Sequence, residues 1–390
     1  MKRSYLGLAA LLGLFFSGMQ AAHGQVNSIQ VTTTAVPFLR ISPDARAGGM
    51  GDLGVATSPD AASGFYNLSK TPFAKKDMGF GLTYTPWLKD LGLNDVYLLA
   101  ASGYTKLSDN EAISGGIRYF SLGNISFTDI NGQSLGNGNP REFGIDLGYS
   151  RKLGEKLSVG LMGRYIYSNL AAGVSNTGTS ATYQPGKTYA ADISFFYHGA
   201  TDDAGGWNFG LALTNLGGKV GYTNDATDKD FIPADLGLGT TYTAVFNEDN
   251  KVTFGLDIHK LLVPPVPSTD DSAALADYHN MPIPTSWGKS FSGGQQVKSL
   301  QGSIGAEYGY QDQFFFRMGY YYEDKDRGDR KYFSVGVGLK YNVMGLNFSY
   351  LVPSGSGTSR NPLSNTLRFG LSFDLDKDNG DNSSTTTPTN

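Results

Sequence analysis

The sequence predicts an all-β protein, a transmembrane antiparallel β-barrel of about fourteen strands with a hatch or plug at its N-terminal end. Three observations carry that expectation. From Asp77 to Leu375 the chain repeats one unit, about ten residues that alternate apolar with small or polar side chains and then a turn. The connections between units are short and long by turns. Ahead of them lies a stretch, Ala45 to Lys70, with no such alternation.

Composition and compartment agree. The chain has 390 residues, a formal net charge of −4 and no cysteine, so neither a disulfide nor a lipid-modified N-terminal cysteine is available. A helical membrane protein would carry apolar runs of about 20 residues, and none follows the N-terminus. Tyr and Phe, 23 of each, beside 52 Gly, suit a barrel with aromatic girdles and a glycine-rich wall. Residues 1–24 read as a cleaved secretory signal. Lys2 and Arg3 form the basic start, Leu6–Phe16 the apolar core, and Ala22-His23-Gly24 the small-x-small site before Gln25.

Residues 25–76 are expected to form a lead-in and the plug. Gln25–Leu39 is polar and threonine-rich, an extended or mobile approach. The run Ala45-Arg46-Ala47-Gly48-Gly49-Met50-Gly51-Asp52, continuing past Asp60 to Asn67 and Lys70, is dense in Gly and Ala. Small residues let backbone sit where little room is left. Arg46, Gly48, Gly49, Asp52, Asp60 and Asn67 are its candidate functional residues.

Residues 77–375 are the expected barrel, with strands near 78–88, 96–107, 112–122, 142–153, 157–169, 188–198, 207–216, 234–246, 251–260, 298–310, 314–322, 331–341, 346–351 and 366–375. Phe143, Ile145, Leu147 and Tyr149 alternate with Gly144, Asp146, Gly148 and Ser150. In the last strand Leu367, Phe369, Leu371 and Phe373 alternate with Arg368, Gly370, Ser372 and Asp374. Successive side chains of a strand point to opposite faces, so one face is apolar throughout and the other mixes Gly, Ser and charge.

A soluble sandwich would alternate too; the connections separate the cases. Ser108-Asp109-Asn110, Gly154-Glu155-Lys156, Asn247-Glu248-Asp249-Asn250, Gln311-Asp312-Gln313 and Asn342-Val343-Met344-Gly345 are tight. Gly199–Gly206 in the same series is longer, and the connections that alternate with them are mostly long, as at Gly123–Arg141, Leu170–Lys187 and Leu261–Val297. Short periplasmic turns and longer extracellular loops mark an outer-membrane barrel. The inward face then carries Arg118, Asp146, Arg164, Asp192, Asp257, Glu307, Arg317 and Arg368. An open pore would use them for ion selectivity, a plugged one to pair with Arg46, Asp52, Asp60 and Lys70; the second is expected. Residues 376–390, acidic and then rich in Ser, Thr and Asn, are an expected disordered tail.

Chemical motifs are sparse. Gly49-Met50-Gly51-Asp52-Leu53-Gly54 matches a dinucleotide fingerprint in letters, without the strand before it or the helix after it that the motif requires. The histidines His23, His198, His259 and His279 are scattered, and none sits at metal-ligand spacing. No catalytic residue, metal or cofactor is therefore expected, only a lipid or detergent molecule held at the mouth, and no nucleic-acid partner. The long loop Leu261–Val297 is the most distinctive functional stretch. Val263-Pro264-Pro265-Val266-Pro267 gives it a stiff start. Tyr278, Trp287 and Phe291 are expected as exposed anchors for a protein partner, with Tyr222 and Phe231 lining the same mouth, because Trp and Tyr dominate binding energies at interfaces.

The run from Arg46 to Ala56, with Asp60-Ala61-Ala62-Ser63 and Phe65-Tyr66-Asn67-Leu68, resembles the N-terminal hatch of the FadL-like family of fourteen-stranded outer-membrane barrels. That family's usual Asn-Pro-Ala ending reads Asn67-Leu68-Ser69 here. The longer run from Ala35 to Asp52 resembles a branch that serves the type IX secretion system of Bacteroidetes. The resemblance implies a non-enzymatic protein of the bacterial outer membrane. It would accept the C-terminal signal domain of secreted cargo from a translocon barrel and deliver it to a surface attachment complex. The alternative is a FadL-like transporter of fatty acids or other hydrophobic molecules, with Phe38, Leu39, Phe65 and Tyr66 lining a pocket between hatch and wall.

Overall fold

The structure, a computed structural model, describes residues 33–89, 92–128, 131–170, 172, 183–223, 229–267, 270–292, 297–325, 327–352 and 365–377. The expected signal, 1–24, and nearly all of the expected tail lie outside the described residues.

Fourteen strands close into one barrel. In chain order the strands are β1 (Met78–Pro86), β2 (Val96–Ser108), β3 (Glu111–Leu122), β4 (Ile125–Thr128), β5 (Ser134–Gly138), β6 (Arg141–Lys152), β7 (Leu157–Asn169), β8 (Gly186–His198), β9 (Gly206–Gly217), β10 (Asp235–Asn247), β11 (Asn250–Leu261), β12 (Leu300–Tyr310), β13 (Phe314–Glu323), β14 (Lys331–Tyr341), β15 (Met344–Val352) and β16 (Leu367–Leu375). Each barrel strand pairs antiparallel with its neighbour in sequence, and β3 pairs directly with β6. The short hairpin β4–β5 stands apart, built from the connection expected to be a plain loop. Closure joins β1 to β16 in a continuous register from Met78↔Leu375 to Tyr84↔Phe369. A closed sheet leaves no unpaired backbone edge, the condition hydrocarbon imposes on strands.

The alternation sets the two faces. On β6 Ile145 and Leu147 are 47% and 67% exposed while Asp146 between them is 3% exposed. The same reversal of a soluble core runs round the molecule: Phe254, Ile304, Phe316, Val337 and Leu346 stand outward on their strands. An apolar surface of that extent is stable only against lipid. Among the described residues no helix is long and apolar enough to cross a membrane.

The interior is filled by the chain's own start. Pro37–Arg40, Ser63–Phe65 and Leu68–Phe73 form 3-10 turns, and Ala45–Gly48 a single helical turn. Asp44 caps that turn, its Oδ2 accepting from the Ala47 amide at 2.8 Å. The end of the lead-in, expected to be extended or mobile, is packed in place: Val36 and Phe38 have no exposed surface, set against Val96, Leu98, Phe120 and Ile166 of the wall. Apolar burial on the inner wall outweighs the polar composition of the run that precedes it. Two short helices, Ser272–Asn280 and Ile283–Lys289, give the longest loop an internal structure that its Pro-rich start did not announce.

Candidate functional site

The hatch meets the wall backbone to backbone. A Cβ placed on Gly49 would lie 3.0 Å from the Cα of Gly336, and one on Gly48 would lie 2.2 Å from Arg368 Nη1. Gly51 has a φ of +71° and would bring a Cβ to 2.8 Å from the backbone of Tyr320, so the position is closed to any side chain on two counts. The small residues of this run are required by the wall they touch.

Charge then fixes the seat. Arg46 donates through Nε and Nη2 to both carboxylate oxygens of Glu307, at 3.0 and 2.8 Å, and through Nη1 to Asp60 at 2.8 Å. Arg317 donates to the same Glu307 at 2.6 Å. Asp52 accepts from Arg368 at 2.9 Å and from the Tyr332 hydroxyl. Asp257 accepts the amides of Gly54 and Val55, at 2.7 and 2.9 Å. Asn67 donates to Val55 O and to the wall carbonyl of Phe195, at 2.9 and 3.0 Å.

Of the four hatch charges expected to meet wall charges, Arg46 and Asp52 do. Asp60 is paired within the hatch through Arg46. Lys70 departs from the expectation: its ammonium donates to Gly54 O and Thr57 Oγ1, holding two limbs of the hatch together. On the wall, Arg164 binds Asp146 and Asp192 at 2.6 and 2.9 Å, and Arg118 lies 3.5 Å from Asp146. Those four groups neutralise one another without the hatch. Tyr332, which donates to Asp52, and Ser334, which accepts from the Gly51 amide, are not among the site residues the sequence suggests; their inward parity on β14 is the signal available.

Between the hatch and the upper wall lies a cavity of about 130 Å³. Leu39, Phe65 and Tyr66 line it, and so do Arg40, Arg118, Asp235, His259 and Arg330. Phe38 does not; it is packed into the wall. A lining with this many charges differs from the mainly apolar pockets that hold hydrophobic ligands, which run to about 300–1,000 Å³.

At the mouth, the loops after β9 and β11 are packed together. Phe231 and Tyr278 meet edge to face with ring centres 5.3 Å apart, and are 3% and 2% exposed. They bury with Leu261 and Val263, so the expectation that Tyr278 stands exposed as an anchor is corrected: with Phe231, at the mouth, it holds the loop down. Lys219 bridges the two loops, its ammonium 4.2 Å from the Phe231 ring and bonded to His279 O at 2.6 Å. Burial lowers the pKa of that ammonium and raises that of the Tyr278 phenol. Tyr222 is half-buried, donates to Ser168 Oγ at 3.0 Å and is pushed up to about 12 by burial. Trp287 is half-buried and Phe291 exposed. Among the described residues no three His, Cys, Asp or Glu side chains are grouped to hold a metal ion.

Known proteins supply the remaining comparison. The chain resembles the toluene transporter TbuX of Ralstonia pickettii with a TM-score of 0.52, at 15% identity over 85% of this chain and 98% of that one. It resembles the monoaromatic hydrocarbon channel CymD with a TM-score of 0.51, at 12% identity over 85% and 97%. Identities this low speak for a shared fold. No curated protein matches. The closed fourteen-stranded barrel shares its fold with these two proteins, and its apolar outer face makes it an outer-membrane barrel. A family model described as "Type IX secretion system protein PorV" matches residues 24–268, more than half of the chain. The chain therefore belongs to the PorV family, outer-membrane components of the type IX secretion system.

Proposed function

We propose that this barrel is a docking station for secreted proteins: it binds the C-terminal signal domain of cargo leaving the translocon and hands it to the attachment complex at the cell surface. The observation that carries this reading is the filled lumen. A hatch seated by Glu307, Asp52 and Asp257 leaves a small, charged cavity, which favours binding over conduction. Work is then left to the extracellular loops, where the helices Ser272–Asn280 and Ile283–Lys289 are held over the mouth by Phe231 and Tyr278. Asp270, Asp271 and Asp277 stand exposed on this side and Trp287 is half-exposed, a surface of charge around one large ring that suits a folded partner. The role is non-catalytic.

The test is recovery of partners from tagged native protein in mild detergent. Secreted proteins that share a C-terminal domain should co-purify, and Trp287→Ala should reduce their yield several-fold. Recovery of lipids alone, with secretion intact after deletion of residues 262–297, would sink the reading.

A further inference from the structure

The extracellular rim of the outer wall is ringed with aromatic side chains over most of its circumference. Tyr84 and Tyr97 lie 5.7 Å apart, Tyr97 and Tyr119 6.2 Å, Phe143 and Tyr165 6.2 Å, and Tyr165 and Tyr189 5.4 Å. Tyr322 and Phe333 carry the ring on across β13 and β14. Such girdles mark the level of the lipid headgroups. Between β8 and β13 the ring stops. At that end β9, β10, β11 and β12 turn outward Leu213, Leu236, Lys260 and Leu300, which lie in continuous register with one another.

Lys260 shares its parity with Leu256 and Ile258, which face outward at 42% and 40% exposure, yet it is only 6% exposed itself. The loop covers it. Its ammonium donates to Ser299 Oγ and lies 5.6 Å from the centre of the Phe291 ring. Phe291 is in turn 53% exposed, and Val297 82%. Phe291 thus lies beside Lys260, whose neighbour across the sheet is Leu300, and Val297 is exposed three residues before Leu300, at a stretch of rim that among the described residues lacks outward rings of its own. The charge on this limb is also one-sided. From Met281 to Leu300 there are two lysines, Lys289 and Lys298, and no acid, whereas the helix before it carries acid at Asp271 and Asp277.

We propose that Lys289, Phe291, Val297 and Lys298 form a membrane-surface anchor: Phe291 and Val297 insert among the headgroups of the outer leaflet at the girdle's gap, Lys289 and Lys298 face lipid phosphate, and Lys260 beneath them holds the Phe291 ring against the wall. The occupant is lipid because the surface continues the lipid-facing wall below it, and because its charge complements anionic headgroups. The anchor would fix the tilt of the two-helix loop over the mouth. It does not rest on the secretion reading; failure to recover cargo would leave it standing.

The full-length barrel in vesicles provides the test. In a variant with Trp87→Phe, Trp207→Phe, Trp287→Phe and Phe291→Trp, the indole at position 291 is the only one. Lipids brominated near the headgroup end of their acyl chains should cut its emission about twofold or more, with iodide in the buffer nearly without effect. The bromine effect should strengthen when phosphatidylglycerol replaces phosphatidylcholine, and the added Lys289→Gln and Lys298→Gln changes should remove that increase. A second variant that keeps Trp207 alone, on the wall, reports that the barrel is inserted. Strong iodide quenching with no bromine effect overturns the anchor. So does a bromine effect blind to lipid charge and to both lysines, or shielding of position 291 that appears only when a secreted protein is bound.

Discussion

Arg46 of the hatch and Glu307 of β12 are joined by two parallel hydrogen bonds, Nε to Oε2 at 3.0 Å and Nη2 to Oε1 at 2.8 Å. The pair is 261 residues apart in sequence. Arg317 approaches the same carboxylate from the wall, so one acid balances two guanidinium groups inside the barrel. Hydrogen-bonded charge of this kind locks a geometry because breaking it strands the remaining charges.

Glu307→Ala should therefore cost about 3–5 kcal/mol of hatch stability, since it leaves Arg46 and Arg317 facing each other. The expected readout is faster proteolysis of residues 33–76 in detergent while the barrel keeps its resistance to unfolding by heat and SDS. Glu307→Gln, which keeps an acceptor, should be milder. Equal and negligible effects would show that the hatch is seated by packing alone.

Gly51→Ala should unseat the hatch by a different route, because the added methyl group meets the Tyr320 backbone at 2.8 Å in a backbone conformation that disfavours it. Wild-type protein in planar bilayers should pass little current and Gly51→Ala distinctly more. Currents that match between the two would mean the wall yields to the methyl group.

Tyr278→Ala should release the loop at the mouth. Loss of the edge-to-face contact and of the buried ring is worth about 3–5 kcal/mol by analogy with buried aromatic deletions. Limited proteolysis should then cut within residues 270–292 first, with the barrel intact. The same result is expected for Phe231→Ala, and the double variant should cost less than the sum, because each ring is the other's partner.

Alkali should loosen the same loop. Tyr222, held up to about 12, and Tyr278, also raised, keep their protons in the docked loop where a solvent-exposed phenol would lose them near pH 10. Above that pH the undocked form binds fewer protons, so docking weakens as pH rises from about 10 towards 12. Phenolate absorbance should show these two groups titrating after the solvent-exposed tyrosines, with proteolytic opening of the loop in the same window.

Hydrocarbon uptake is the reading the cavity argues against. A chamber of about 130 Å³ lined by Arg40, Arg118, His259 and Asp235 offers poor company to a fatty acid. Fatty acid or toluene should give no saturable binding by calorimetry in detergent. A stoichiometric complex displaced by Phe65→Trp would reverse that conclusion.

The wall was legible in the sequence, strand by strand. Period-two alternation is a local property, and it placed Asp146, Asp257, Glu307 and Arg368 inside and Leu147, Phe254 and Val337 outside, where the structure has them. The glycine-rich hatch run could be read as backbone meant for a tight place. Two features of the loops were not legible. The hairpin β4–β5 is short and forms outside the barrel, and Tyr278 in sequence looks like any exposed loop aromatic until Phe231 is brought to it.

What the sequence determined by itself is therefore the set of residues each strand presents inward and outward, because that depends only on neighbours along the chain. What the tertiary structure decided is who meets whom. Strand stagger chose Glu307 for Arg46 and Arg368 for Asp52, left Lys70 to the hatch's own carbonyl, and carried Phe291 over Lys260 on the outer flank. Those contacts join residues far apart in sequence, and only closure of the sheet sets the distances between them.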